Sequence, residues 1–423
     1  MRRSKSGLLA LSGLLALSRL LLALPRLLPL LACLLILCAP AQAQPANAHT
    51  DPLNLDPLVR HGYDRFYDLD FDGALKDFNQ IAAQHPQDPM AWNYILVVTV
   101  FRELYNHDLL DTTYYAHDSF LFNKRQISIS KQARDQINGL TDKVISMCDK
   151  RLDQNPQDKN ALFARGYAKG MHGAFITLAD HAFSAAARQG LQARNDSEDA
   201  LKIDPQYADA EMAIGIQQFA VASLPRFLRF VVGVFGVGGS KSKGIALLRD
   251  SAQHGVITSV ESRTALSLFL RHDGRYPEAL QVERSLTNQY PHDYLFSLEV
   301  ANLLKDEGHG YEAIAAYKQV LADARKPGYF IDPRLQMAWF GLAETQRGYN
   351  QLPDAVASYV QAAEQPNCSP WLRSRAQVNA GEVYDMLHQR ANAEKMYQMA
   401  ASGGDSSQAD LARKYLKSPY AGK

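Results

Sequence analysis

An excess of charge of either sign is missing from this chain, in which 45 Lys+Arg stand against 44 Asp+Glu over 423 residues. Proteins that work by neutralising nucleic-acid phosphates carry a visible basic surplus, so nucleic acid is excluded as a partner. Cysteine is scarce, at four residues, which is no disulfide framework. Catalytic signatures are absent too: the sequence has no Gly-x-Ser-x-Gly elbow and no His-Glu-x-x-His pair. What is present is 47% hydrophobic residues with 21% charged ones, enough apolar material for a large core and too much for a low-complexity disordered chain.

The first 43 residues stand apart. Met1-Arg2-Arg3-Ser4-Lys5 leads into leucine-rich stretches that end in Ala41-Gln42-Ala43, a small-x-small site of the kind signal peptidase accepts. We read residues 1–43 as an export signal and 44–56 as a linker. Leu8 to Ala39 is long enough to span a bilayer, so a retained anchor is the alternative. Arg19, Arg26, Pro25, Pro29 and Pro40 interrupt that run and count against it. Leu37 before Cys38 fails the small-residue requirement of a lipoprotein site. Removing the leader takes away five basic residues and no acidic one, leaving 40 basic against 44 acidic residues, with Cys148 and Cys368 as the remaining cysteines. The expected location is therefore exported, either periplasmic or extracellular.

Internal repetition is the informative signal in the rest of the chain. Phe71-Asp72-Gly73-Ala74, Tyr276-Pro277-Glu278-Ala279, Tyr311-Glu312-Ala313, Leu352-Pro353-Asp354-Ala355 and Ala391-Asn392-Ala393 each place a small residue early in a helix. Ala279 to Ala313 spans 34 residues, Ala313 to Ala355 spans 42 and Ala355 to Ala393 spans 38. A 34-residue unit with insertions is the tetratricopeptide repeat spacing. Gly62 and Gly381 stand twelve residues before Ala74 and Ala393, while Phe78, Tyr317, Tyr359 and Tyr397 stand four after their alanines. Small residues let two antiparallel helices approach, and the aromatic fills the space beside them. His85-Pro86-Gln87-Asp88-Pro89, Asn155-Pro156-Gln157-Asp158 and Tyr290-Pro291-His292-Asp293 read as a helix stop followed by a capped start.

The pattern predicts an all-α solenoid of about eight helix pairs wound as a right-handed superhelix, with a closing helix near Gln408 to Leu416. Residues 57–255 are divergent, with insertions at 103–127 and 223–241, and 256–418 are regular. The mature chain resembles exported bacterial tetratricopeptide-repeat proteins. That resemblance rests on Phe71-Asp72-Gly73-Ala74, Asp88-Pro89-Met90-Ala91-Trp92-Asn93, Phe101-Arg102-Glu103-Leu104-Tyr105 and the stretch from Ser223 to Gly244. The last stretch also resembles the Leu-Pro and Gly-Phe-Gly pattern of the tetratricopeptide repeat protein 39 family, implicated in clearing protein inclusions and in lipid handling. Both resemblances imply a binding scaffold with no catalytic residues.

Four constellations invite chemistry. Gly233 to Ser242 has the glycine content of a phosphate loop, but Ser240 separates Gly239 from Lys241, and we read it as a turn entering a helix. His107, Asp108, Asp111, His117 and Asp118 carry metal-capable atoms without a known ligand spacing. A metal-dependent enzyme built on them is an alternative; polar loop residues are the plainer reading. His172 and His181 bracket an apolar helical stretch and read as core or surface histidines. Leu224 to Gly239 is apolar with Arg226 and Arg229 on one helical face. It either folds back to plug the superhelix or touches a membrane surface or a partner.

Groove positions follow from the repeat register. First helices place Tyr63 and Phe66, then Met212, Ile216 and Phe219, then Thr264, Leu268 and Arg271 on the inner face. Leu298, Asn302 and Lys305 follow, then Phe340, Glu344 and Arg347, and finally Arg375, Glu382 and Asp385. The first half of the groove is thus apolar and the last third of mixed charge. A clamp for a C-terminal carboxylate would need Lys at Leu298 and Asn at Gly341, so a partner of that kind is excluded. The expected function is non-catalytic binding of a protein or peptide in this groove, without a cofactor. An accessory role in envelope transport or lipid handling is the alternative.

Overall fold

Aspartate followed by proline starts helices repeatedly along this chain. Asp56 caps α1 (Pro57–Tyr67) and Asp88 caps α3 (Pro89–Asn106), each accepting from a backbone N–H of the first turn with proline at the first helical position. Asp70 caps α2 (Phe71–Gln84) and Asp158 caps α5 (Lys159–Asp180) without the proline. The structure, a computed structural model, describes residues 49–114, 127–226, 229–230 and 237–422. The leader at 1–43 lies outside these residues, as do most of the 103–127 insertion beyond Tyr114 and the middle of the 223–241 insertion.

The remaining helices are α4 (Lys131–Gln154), α6 (Phe183–Ile203), α7 (Glu211–Ser223), α8 (Lys241–His254), α9 (Ser259–His272) and α10 (Tyr276–Gln289). They continue through α11 (Tyr294–Glu307), α12 (Gly310–Asp323), α13 (Gln336–Gly348), α14 (Leu352–Glu364), α15 (Pro370–Met386), α16 (Arg390–Ala401) and α17 (Ser406–Lys417). Consecutive helices pack on each other along the whole array, which makes eight pairs and a closing helix, all-α among the described residues. The fold is the expected tetratricopeptide-type helical-hairpin solenoid.

A single turn geometry joins five of these pairs. Leu69, Gly274, Gly308, Asn350 and His388 all have left-handed backbones, with φ between 57° and 92°. In each case the next N–H reaches back to a carbonyl five residues earlier, as in Arg275 N to Leu270 O at 2.8 Å and Gln389 N to Tyr384 O at 2.8 Å. Helix crossing then depends on missing side chains. A Cβ on Gly62 would stand 2.5 Å from the Phe78 ring, and one on Gly381 would stand 2.4 Å from the Tyr397 ring. These are the glycine and aromatic positions that the repeat register picked out.

One expectation changes. Residues 49–56 are no linker: Thr50 and Asn54 are buried, Thr50 Oγ1 donates to Asp209 at 2.7 Å, and His49 meets Asp204 at 2.9 Å. From His49 onward the chain is one compact unit, as a continuous solenoid requires. The array also curls back on itself. Tyr67 on α1 donates to Glu261 on α9 at 2.7 Å and packs its ring 5.1 Å from that of Tyr290, bringing the first pair against the fifth.

Candidate functional site: the inner face and the strap across it

The inner face begins with an anomaly in the third helix. Like the five regular turns, α3 ends with a left-handed residue, Asp108 at φ 57°, and Leu109 N returns to Leu104 O at 2.9 Å. No second α-helix starts there, only a 3-10 turn at Thr112–Tyr114. Residues 109–113 instead cross the inner face as a strap and dock on α9, α11 and α13. Thr112 Oγ1 donates to Glu299 Oε2 at 2.6 Å, and Arg271 Nη1 stands 2.5 Å from the same hydroxyl. Asp108 accepts from Gln336 Nε2 at 2.7 Å and from Arg334 Nε at 3.1 Å, while Tyr105 donates to the Asp332 carbonyl at 2.7 Å.

Arg271 is the centre of this docking. Its side chain is sealed from solvent and pairs with Glu299 at 2.9 Å and Asp306 at 2.6 Å. Burial disfavours the guanidinium charge, but these carboxylates more than offset it and raise the pKa above the usual arginine range. Asn302 stands within 3.5 Å of Asp111 and accepts from Tyr317 at 2.6 Å.

The strap divides the inner face into two hollows that share Asp111 and Asn302. The smaller, about 90 Å³, lies towards the C-terminal pairs among Lys305, Phe340, Glu344, Trp371 and Arg375. Arg375 stands over Phe340, 4.9 Å from the ring centre. The larger, about 290 Å³, lies towards the N-terminal pairs and has mostly apolar walls, including Phe66, Phe101, Met212, Leu268, Phe296 and Leu298. Ala174 and Ile216 on its lining are exposed, so it opens between α5 and α7.

Five carboxyl groups line the larger hollow: Asp111, Glu261, Glu283, Asp293 and Glu299. Burial pushes Glu261 up to about 7 and Asp293 up to about 8, and it also raises Glu283 well above the carboxylate range, with Glu299 nearby adding to the shift. Glu283 is 2% exposed, and its Oε2 has no hydrogen-bond partner. Ser267 lies near enough to favour its ionisation slightly, yet the Ser267 hydroxyl completes no bond either.

The predicted groove residues thus divide into groups. Phe66 lines the larger hollow, Lys305, Phe340 and Glu344 line the smaller, and Asn302 lines both. Tyr63 and Phe219 are core residues: Tyr63 packs on Phe78 and Tyr94, and Phe219 stacks on Phe269 at 4.1 Å. Arg347 pairs with Glu382 at 2.8 Å, and Asp385 with Arg390 at 3.1 Å, while Asp385 also accepts from Tyr397 and from the Tyr420 amide. Glu344 accepts from Tyr359 and Asn379. The continuous groove expected from Tyr63 to Asp385 is therefore not open, because the strap and these internal pairs occupy it. Sequence reasoning missed Tyr67, Glu261, Glu283 and Glu299. Glutamate on a helix reads as solvent-facing until its neighbours are known.

The other candidates have plainer roles. Asp108 and Asp111 hold the strap, His107 contacts Glu103 at 3.3 Å, and His117 and Asp118 lie outside the described residues. Among the described residues no three His, Cys, Asp or Glu side chains are grouped to hold a metal. Lys241 is engaged by Asp273 at 2.6 Å, and Ser240 caps α8. Cys148 and Cys368 are buried free thiols that burial pushes up to about 12. Within 224–239, Arg229 donates to the Ala222 carbonyl and Phe230 is 75% exposed. No helix among the described residues is long and apolar enough to cross a membrane.

No family model matches the chain, and no curated protein matches it. Among solved structures it is similar to yeast Tom70, at 11% identity and a TM-score of 0.40, covering 85% of this chain and 94% of that one. It is also similar to TTC0263, a thermophilic tetratricopeptide-repeat protein of Thermus thermophilus. That match has 17% identity and a TM-score of 0.34, over 58% of this chain and 97% of that one. A tetratricopeptide repeat protein from Parabacteroides merdae is similar at 11% identity and a TM-score of 0.35, covering 76% and 96%. The description of the fold stands on the helix pairs and their turns, and these distant likenesses accompany it.

Proposed function

We propose that this chain is an exported, non-catalytic scaffold that binds a protein or peptide partner through the larger hollow of its inner face. One observation carries the reading: an apolar hollow of about 290 Å³ on the inner face of a rigid helical array, with Ile216 exposed at its mouth. Its volume holds two or three side chains, the size of an anchor cluster from a partner segment. The strap narrows the contact to this hollow and its rim, in place of a groove running the length of the array.

A photo-crosslinking amino acid at position 216 tests the anchor. Partner adducts formed by this protein should vanish when Ala174→Trp closes the mouth; adducts unchanged by the closure remove the reading. Export is tested by N-terminal sequencing of the protein recovered from cells, with Gln44 expected first. A second reading, contact with a membrane in transport or lipid handling, is favoured by exposed Phe230 beside exposed Arg229. Flotation with anionic liposomes that is unchanged on deleting 224–239 would sink it.

A further inference from the structure

We propose that the anchor taken by the larger hollow is cationic, a lysine set among apolar residues of the partner segment. This deepens the binding reading above and rests on it. The argument is one of charge complementarity inside an apolar wall. Among the described residues the hollow is lined by five carboxyl groups and by no Lys or Arg. Arg271 answers Glu299, and Asp111 is turned towards the strap, where it accepts from Thr113 N at 2.8 Å. Glu261, Glu283 and Asp293 form no ion pair among the described residues. Glu261 accepts from Tyr67, Asp293 accepts from Leu295 N at 2.8 Å, and the buried Glu283 leaves Oε2 unanswered.

Each ligand class meets this wall differently. An anion would be repelled by each of these carboxyls once it ionises and would find no Lys or Arg on the described lining. A purely apolar anchor would leave the buried Glu283 and Asp293 and the half-buried Glu261 without a charged partner. A lysine satisfies both features of the wall, since its four-carbon stem packs on Leu268 and Leu298 while its ammonium offers three donors to carboxyl oxygens. Arginine is less suited, because its planar fork works best against one bidentate carboxylate.

Proton release accompanies binding. The empty hollow holds neutral carboxyls at mildly acidic pH; when the ammonium enters, a carboxylic acid loses its proton to solvent and the carboxylate pairs with the cation. The groups facing this cluster are Tyr67, Tyr167 and Asp209 around Glu261, then Glu299, Asp293 and Arg271 around Glu283, and Asp68 near Asp293. Affinity for a lysine anchor therefore rises from pH 6 to pH 8.

The test uses the full-length mature chain and fluorescein-labelled octapeptides, identical except for a central lysine, norleucine or glutamate. The lysine peptide should bind about tenfold more tightly than the norleucine peptide at pH 7.5, the glutamate peptide more weakly than either. Calorimetry in buffers of different ionisation enthalpy should show proton release. The double variant Glu261→Gln, Glu283→Gln should bring the ratio of lysine to norleucine affinities close to one, with a thermal melt confirming that it folds. Equal affinity for lysine and norleucine in the unmodified protein overturns the cationic anchor and leaves the binding scaffold standing. Binding of n-decylammonium with no peptide binding overturns the peptide source, and no binding of any peptide overturns the scaffold reading itself.

Discussion

The two sides of the strap use charge in opposite ways. On the C-terminal side the inner-face charges are largely answered from within the chain: Arg347 by Glu382, Asp385 by Arg390, and Glu344 by Tyr359 and Asn379. On the N-terminal side Glu261, Glu283 and Asp293 sit in an apolar wall and form no ion pair among the described residues. A charged residue on the inner face of a repeat array therefore does not by itself mark a binding site. Pairs answered internally hold the array together, whereas unanswered carboxyls weaken it and are available to something else.

The sharpest break of this contrast is expected at Arg271. Replacing it in Arg271→Met strands Glu299 and Asp306 in the interior and releases the strap, at about 3–5 kcal/mol of stability. Chemical denaturation should show that loss, whereas Glu283→Gln on the other side should change stability by less than about 1 kcal/mol or increase it. Similar losses in the two variants would erase the distinction.

A second test uses pH. Glu261 and Asp293 hold protons in the folded state that the unfolded chain releases near the ordinary carboxylate value, because burial raises them to about 7 and about 8. The folded state thus binds more protons between roughly pH 4.5 and 8, so stability falls as pH rises through that window. Glu261→Gln with Asp293→Asn should flatten the profile. Unfolding midpoints measured from pH 5 to pH 8 check this, and equal slopes in variant and parent would refute it.

Smaller effects belong to the answered side. Arg347→Ala removes bonds to Glu382 and Tyr420 from a partly solvated position and should cost about 1–2 kcal/mol in thermal unfolding. The smallest change concerns the turn between α15 and α16, where exposed His388 stands at φ 58°. His388→Gly should stabilise by about 0.5–1 kcal/mol, since glycine adopts that backbone without the Cβ clash. A lower melting temperature would show that the histidine side chain does more than the turn reveals.

The helix pairs were legible in the sequence because their signals are local. Asp56-Pro57 and Asp88-Pro89 each set a cap beside a first helical residue, and the spacing of Gly381 to Tyr397 lies within one hairpin. The site was not legible, because its contacts join distant residues. Thr112 meets Arg271 across 159 positions, and Tyr67 meets Glu261 across 194. Arg271 was recognised as an inner-face residue, but the strap that occupies it came from an insertion whose polar residues looked like a loop or a metal site. Glu283 carries no sequence mark at all, since a glutamate in a 14-residue helix is ordinarily solvent-facing.

By itself, then, the sequence determined the all-helical character, the pairing of neighbours and the turn positions, since caps, glycines and aromatics act over a few residues. Only the tertiary structure decided that the first pair meets the fifth and that residues 109–113 bridge the inner face. It also decided that Glu261, Glu283 and Asp293 line one hollow and form no ion pair among the described residues. Enclosure depends on how far the array curls, and that is a sum over all the helix crossings that no single repeat encodes.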